Sequence, residues 1–338
     1  MKLIRTPLKT GSSISHLSYR DVTPIIGREY PDVCLKTIYD SPNRDEQLRD
    51  LAITICERGV AFFTRPQDHL SVDEQKHITD LLGKLTGRPA DHGLHTHPLY
   101  NDPNNLCMTD GTTDPHIYVI NTEAQKKLYA TMPGRRPSPT EPYDLAREWH
   151  SDSLYENCPS DFSFLRMTET PPSGGDTLWC SGYDLTATCA QPVFTTACAA
   201  GGYALVTSPR GSPLNVDYEF APVHPVIRTH PVTGWKSVFA GVGLHVSRIN
   251  NVHSYEDHLI REYIMRLITR NHDCIARMRW TKGACAIWHN ACTLHAATPD
   301  TYLVQGNRVG VRATGIGERP YLDPASTGRR EALGLPPY

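Results

Sequence analysis

From about residue 160 onward the sequence is written in short β-like runs, and that pattern restricts the fold more than any other feature. "FSFLRMTE" (162–169), "GGYALVTS" (201–208), "HPVIRTHPVTGWKSVFAG" (224–241), "ACAIWHN" (284–290) and "NRVGVRATGIG" (307–317) are rich in β-formers and bounded by turn residues. Within the third run, Pro231-Val232-Thr233-Gly234 reads as a hairpin turn. Helical periodicity is confined to three places. "RDEQLRDLAITICERG" (44–59) places Leu48, Leu51, Ala52 and Ile55 on one face, and "VAFF" (60–63) follows as a buried strand. "SVDEQKHITDLLGKL" (71–85) opens on a Ser71/Glu74 capping box and carries Ile78, Leu81, Leu82 and Leu85 as its stripe. "SYEDHLIREYIMRLITRN" (254–271) has Ser254 as its expected N-cap, with Ile260, Tyr263, Ile264 and Leu267 facing inward. This order, helices first and then β with one late helix, predicts an α+β architecture. Its core is an antiparallel barrel or sandwich with helices packed on one face. The stretch 101–145 is rich in Pro, Gly, Asn and Thr and is expected to be a lid or insert within one domain spanning 1–338.

Charge and cysteine usage narrow the function classes. The chain of 338 residues has a formal net charge of −2, so bulk electrostatics favours neither nucleic acid nor an anionic membrane. No stretch supplies the ~18 apolar residues of a spanning helix, and "MKLIRTPLKTGSS" lacks the apolar core of a secretion signal. The ten cysteines include no C-x-x-C pair, which suits reduced thiols in the cytoplasm. The expected partner is a small molecule, with a homo-oligomer left open.

His150 and Asp152 stand two apart in "AREWHSDSLYENC" (146–158), a spacing that throws both side chains to one face of an extended segment. With 16 histidines and 36 acidic residues, chance alone supplies about two such spacings, so the pair by itself reads first as a solvated polar pair on a strand end. Its company changes the weighing. A facial-triad iron(II) site needs two neutral imidazoles and one carboxylate, with three adjacent positions left open. Downstream, Arg308 and Arg312 stand four apart on a strand-like run and share a face. Inward guanidinium groups in an apolar β core are costly unless they meet anions, so two of them imply two carboxylate-like groups in the pocket. Gly-Gly-Asp-Thr (174–177) makes a tight turn into a strand, and Thr177 can set a hydroxyl beside an arginine-bound carboxylate; alone it would be strand filler.

These pieces resemble the taurine dioxygenase (TauD/TfdA) family of iron(II)- and 2-oxoglutarate-dependent oxygenases. The matching blocks are "LHTHPLY" (94–100), "EWHSDSLY" (148–155), "PPSGGDTLWCSGYDL" (171–185), "HPVIRTHPVTGWKSVF" (224–239), "WHNACTLHAATPD" (288–300) and "NRVGVRATGIGERP" (307–320). With the two N-terminal helices they cover most of residues 20–320. The resemblance implies a double-stranded β-helix (jelly-roll) core, with Fe(II), 2-oxoglutarate as cosubstrate and O2. It makes His150, Asp152 and His295 the metal ligands. His289, which stands where the family carries Asp, is the competitor for the distal position. It implies that Thr177 and Arg308 hold the distal carboxylate of 2-oxoglutarate. His97, Tyr100, Ser153, His245 and Arg312 would line the pocket of a small anionic organic substrate, a sulfonate or an amino-acid-like carboxylate. Two departures, Ala146 in place of an amide and His245 near an expected aromatic, separate that substrate from taurine. Hydroxylation of an aliphatic C–H, with release of succinate and CO2, is the default outcome; desaturation or oxidative cyclisation uses the same cofactors. Readings from other classes are a non-catalytic jelly-roll binding protein and a zinc hydrolase with the same three ligands. Neither needs both inward arginines.

Overall fold

The computed structural model describes residues 5–98, 111–124, 148–185, 193–196, 209–217, 220–239, 243, 245–298, 300 and 306–336. Among them, seven strands form the main sheet: β1 (Arg20–Asp21), β2 (Arg28–Tyr30), β3 (Val60–Phe63), β13 (Cys285–His289), β5 (Ser160–Glu169), β15 (Val309–Ile316) and β4 (Ile117–Asn121), in that order. A second sheet orders β12 (Ile275–Met278), β6 (Thr177–Ser181) and β14 (Thr293–Ala297). Two smaller sheets join β9 (Ile227–Thr229) to β10 (Lys236–Val238), and β11 (Val246–Ile249) to β7 (Val193–Thr196) and β8 (Val223–Pro225).

Period-two alternation explains why the main sheet is covered on both faces. On β3, Val60 and Phe62 enter the core shared with the second sheet, whereas Ala61 and Phe63 enter a separate core under the helices. β13 divides in the same way, Ala286 and Trp288 against Cys285 and Ile287. On β5, Leu165 and Met167 face the second sheet while Phe162 and Phe164 face the helices. Trp179 of β6 closes the inner core, with its ring 5.7 Å from Trp288 and 5.2 Å from Phe62. Truncating either buried tryptophan to Ala would cost about 3–5 kcal/mol. The outer face is covered by α1 (Leu35–Tyr39), α2 (Arg44–Arg58) and α3 (Val72–Leu85). Ser71 and Glu74 form the reciprocal capping box at the start of α3. Helices on one face of a β core are thus present.

Three details differ from expectation. The late helix α4 (Ser254–Arg270) starts one residue earlier than its expected cap implies, because His253 occupies the cap and Glu256 reaches back to its backbone N–H. Ile264 and Ile268 are buried and Ile260 and Leu267 pack partly buried against the same core, while Tyr263, expected inward, is 44% exposed. Part of the expected lid is sheet: within 101–145, residues 117–121 are β4, the edge strand beside β15. The alternation of Ile117 and Val119, both buried, supplied the signal that the surrounding Pro, Asn and Thr obscured. Residues 101–110 and 125–145 of that stretch, like "GGYALVTS", lie outside the described residues. The Pro231–Gly234 turn does join β9 to β10, with Gly234 at φ +73°, a conformation that costs glycine little. No described helix is long and apolar enough to cross a membrane.

Candidate active site

His150 and His295, 145 positions apart in sequence, meet through the backbone first. Each donates its N–H to the other's carbonyl, at 3.0 and 2.8 Å, in an isolated antiparallel bridge beside β14. Paired residues of an antiparallel bridge project to the same side, so the two imidazoles stand together with ring centroids 4.3 Å apart. Asp152 follows one turn later. Its Oδ1 lies 3.9 Å from His150 Nε2 and 3.7 Å from His295 Nε2, and one donor atom from each of the three lies within 4.8 Å of the others.

Protonation suits this set for a cation. The Nδ1 of His150 is 2.6 Å from the carbonyl of Glu148; a carbonyl only accepts, so Nδ1 carries the proton and Nε2 presents its lone pair. Burial, then the neighbouring His150, holds His295 neutral well below the usual histidine range. Burial alone would raise Asp152, but Arg312, the two histidines and Ser163 outweigh it and keep the carboxylate ionised. Two neutral imidazoles and one carboxylate are the donor set of a non-haem ferrous site.

The remaining expected residues are distributed around this point. Arg308 donates from Nε to the carbonyl of Gly175 at 2.8 Å and from a terminal nitrogen to Thr177 Oγ1 at 3.2 Å. Gly175 sits at φ +70°, and a Cβ there would stand 3.1 Å from Arg308 Cδ, so glycine is what lets the arginine lie along the turn. Arg312, paired in register with Tyr118 of β4, donates to Asp152 Oδ1 at 2.6 Å and rests 5.0 Å from the Tyr118 ring. His97 packs on the same tyrosine at 4.7 Å, and burial, then His95, holds it neutral. His245 stands 5.7 Å from the ring of His150 and 5.2 Å from Tyr155. Ser153 is buried at φ +53° with its hydroxyl 3.5 Å from His95 Nδ1. Tyr100 lies outside the described residues.

His289 goes elsewhere, and strand parity is the reason. Trp288 points into the inner core, so its neighbour His289 points to the helix side, against Phe162 at 4.6 Å. There it meets His230 and Cys56, a second cluster whose donor atoms also lie within 4.8 Å of one another. The proton placement opposes metal binding. His230 Nδ1 accepts from the backbone N–H groups of Val232 and Thr233, both at 3.2 Å, so its proton is on Nε2, donated to His289 Nδ1 at 3.0 Å. Metal-bound histidines normally donate from the second ring nitrogen rather than accept there. Burial also pushes the Cys56 thiol well above its usual value.

Several working residues escaped the sequence reading. Trp280 donates its indole N–H to Thr177 Oγ1 at 2.9 Å. Tyr118 was hidden in the presumed insert. Glu156 and Arg210 form an ion pair with both side chains 1% exposed, under the turn that carries Asp152. Asn290 and Ser163 bond to Asp152. No spacing motif marks any of these.

With this geometry established, comparison with known proteins decides the family. Residues 18–314 match the family model described as "Taurine catabolism dioxygenase TauD, TfdA family". The chain belongs to the TauD/TfdA family. It is 44% identical to the alpha-ketoglutarate-dependent dioxygenase btcD of Neocamarosporium betae, an alignment covering 98% of this chain and 100% of that one. It is 42% identical to the alpha-ketoglutarate-dependent dioxygenase oryG of Aspergillus oryzae, covering 97% and 96%. The fold matches a solved taurine dioxygenase from Burkholderia xenovorans with a TM-score of 0.62 at 21% identity, over 90% of each chain. This TauD/TfdA member is therefore an alpha-ketoglutarate-dependent dioxygenase with the jelly-roll fold of that family, and 2-oxoglutarate and O2 are its cosubstrates.

Proposed function

We propose that the enzyme hydroxylates an aliphatic C–H of a small anionic organic substrate, with His150, Asp152 and His295 holding ferrous iron. The observation that carries this reading is the convergence of those three donor atoms from distant segments. When bound, iron supplies the redox chemistry by which O2 is divided between succinate, formed from 2-oxoglutarate with loss of CO2, and the oxidised substrate.

The chain's own residues do the binding and aiming. Thr177 Oγ1 already accepts from Trp280 and Arg308, so its own hydrogen is left to donate to a carboxylate. Beside it, the fixed charge of Arg308 suits the distal carboxylate of 2-oxoglutarate better than a lysine would. Arg312 uses one N–H on Asp152, while its buried Nε has no acceptor among the described residues. That leaves donors for the acidic group of the prime substrate. His97, Ser153 and His245 stand around this guanidinium and the triad, and being held neutral lets His97 accept or donate one hydrogen bond without adding charge. A ~1 Å error in placing the substrate costs on the order of 100-fold in rate, which is what these contacts guard against.

The test is oxygen-dependent succinate release from 2-oxoglutarate and Fe(II), screened over small sulfonates, amino acids and other carboxylates, with products read by mass spectrometry. A product heavier by one oxygen atom and stoichiometric with succinate supports the proposal. Turnover without oxygen would point to hydrolysis, and no turnover with any anion would refute the substrate class.

A further inference from the structure

The orientation of Asp152 is set by a directed chain of hydrogen bonds that begins two residues past Trp288. Asn290 Oδ1 faces two groups that can only donate, the backbone N–H of Asp152 and the indole N–H of Trp288, both at 3.1 Å. That fixes the amide, so Nδ2 is the donor on its other side, toward the carbonyl of Asp161 at 3.1 Å and Ser163 Oγ at 2.9 Å. With a lone pair thus engaged, the Ser163 hydroxyl turns its hydrogen to Asp152 Oδ2 at 2.7 Å. Ser163, Asn290 and Asp152 are all at most 3% exposed, so water does not compete for these bonds. The inner-face parity of β5 that buries Leu165 and Met167 is what aims Ser163 at the carboxylate.

We infer that Ser163, held by Asn290, is a positioning residue that occupies Oδ2 of Asp152, leaving Oδ1, which also accepts from Arg312, as the oxygen that faces the two histidines and a metal ion. One oxygen spent on the ion, rather than two, leaves a further coordination position for cosubstrate and O2. Asn290 acts at two points, on the backbone N–H of Asp152 and through the Ser163 hydroxyl. Loss of such outer partners typically weakens metal binding 10–100-fold. The inference rests on the ligand assignment made above.

The test uses the full chain under anaerobic conditions with Mn(II) as the probe, titrated calorimetrically, beside Co(II) absorption as a report of coordination. Ser163→Ala is expected to raise the Mn(II) dissociation constant 10–100-fold and to alter the Co(II) spectrum. Ser163→Cys keeps the volume but donates weakly, so it should fall between wild type and Ala, and it carries the test if the Ala variant does not fold. Unchanged Mn(II) affinity and Co(II) spectrum in a folded variant would overturn the inference. Failure of the wild type to bind Mn(II), or undiminished binding by His295→Ala, would instead bring down the ligand assignment itself.

Discussion

Two histidine clusters lie on opposite faces of the main sheet, His150/Asp152/His295 within the sandwich and Cys56/His230/His289 under the helices. Both bring three ligating side chains within 4.8 Å of one another, and both are largely buried. They differ in where the protons are. In the first, the His150 proton sits on Nδ1, donated to a backbone carbonyl, and Arg312 leads the neighbours that keep the carboxylate ionised. In the second, both ring nitrogens of His230 and Nδ1 of His289 are consumed by each other and by backbone N–H groups, and the thiol is held protonated. Proximity of ligand types is therefore a weak criterion; the tautomer selected by surrounding hydrogen bonds separates a metal site from a buried polar contact.

The largest expected effect breaks the comparison if it fails. His295→Ala should abolish stoichiometric Mn(II) binding, whereas His289→Ala should leave affinity within about threefold, since it lies outside the range typical of outer partners. Calorimetric titration of both decides it, and the reverse result would exchange the roles of the clusters. Next, Arg308→Ala should raise the Michaelis constant for 2-oxoglutarate by on the order of 30-fold or more, because losing a buried charge-assisted pair costs roughly 2–5 kcal/mol. Arg312→Ala should spare that constant and weaken the prime substrate, visible as succinate formed without oxidised product. Identical defects in both would end the division of labour between the arginines.

The smallest effect concerns pH. His97, His230, His289 and His295 are held neutral below the ordinary histidine value of 6.5, chiefly by burial. The unfolded chain takes up protons there that the native state refuses, so stability falls as pH drops through about 6.5. Glu156 adds a lower limb: burial would raise its carboxyl, but Arg210 and His95 hold it below its ordinary 4.5. Its contribution is present above that value and is lost as pH falls through the depressed one. Urea midpoints of the metal-free protein should decline from pH 7.5 to 5.5. His289→Gln should flatten that decline, and equal slopes would show that the second cluster is not held neutral.

The sequence carried the fold where local signals were strong. The Ser71 capping box, the Leu48–Ile55 stripe and the alternating strands all report their own environment within a few residues. The metal ligands were legible through resemblance, not geometry, since "HSD" alone occurs by chance. The distinction between His289 and His295 follows physically from Trp288, whose burial in the inner core sends its neighbour outward. What stayed hidden is what depends on registry between segments. Tyr118 acquires its place only because β4 pairs with β15, Asn290 and Trp280 act through hydrogen bonds across more than a hundred residues of chain, and Ser163 reaches Asp152, 11 residues away, only because β5 turns its side chain to the inner face.

The most direct test is anomalous diffraction from crystals grown anaerobically with saturating Mn(II). A single strong peak bounded by His150 Nε2, Asp152 Oδ1 and His295 Nε2, with none between Cys56, His230 and His289, is the expected result. Density at the second cluster, or an empty first one, would contradict the account.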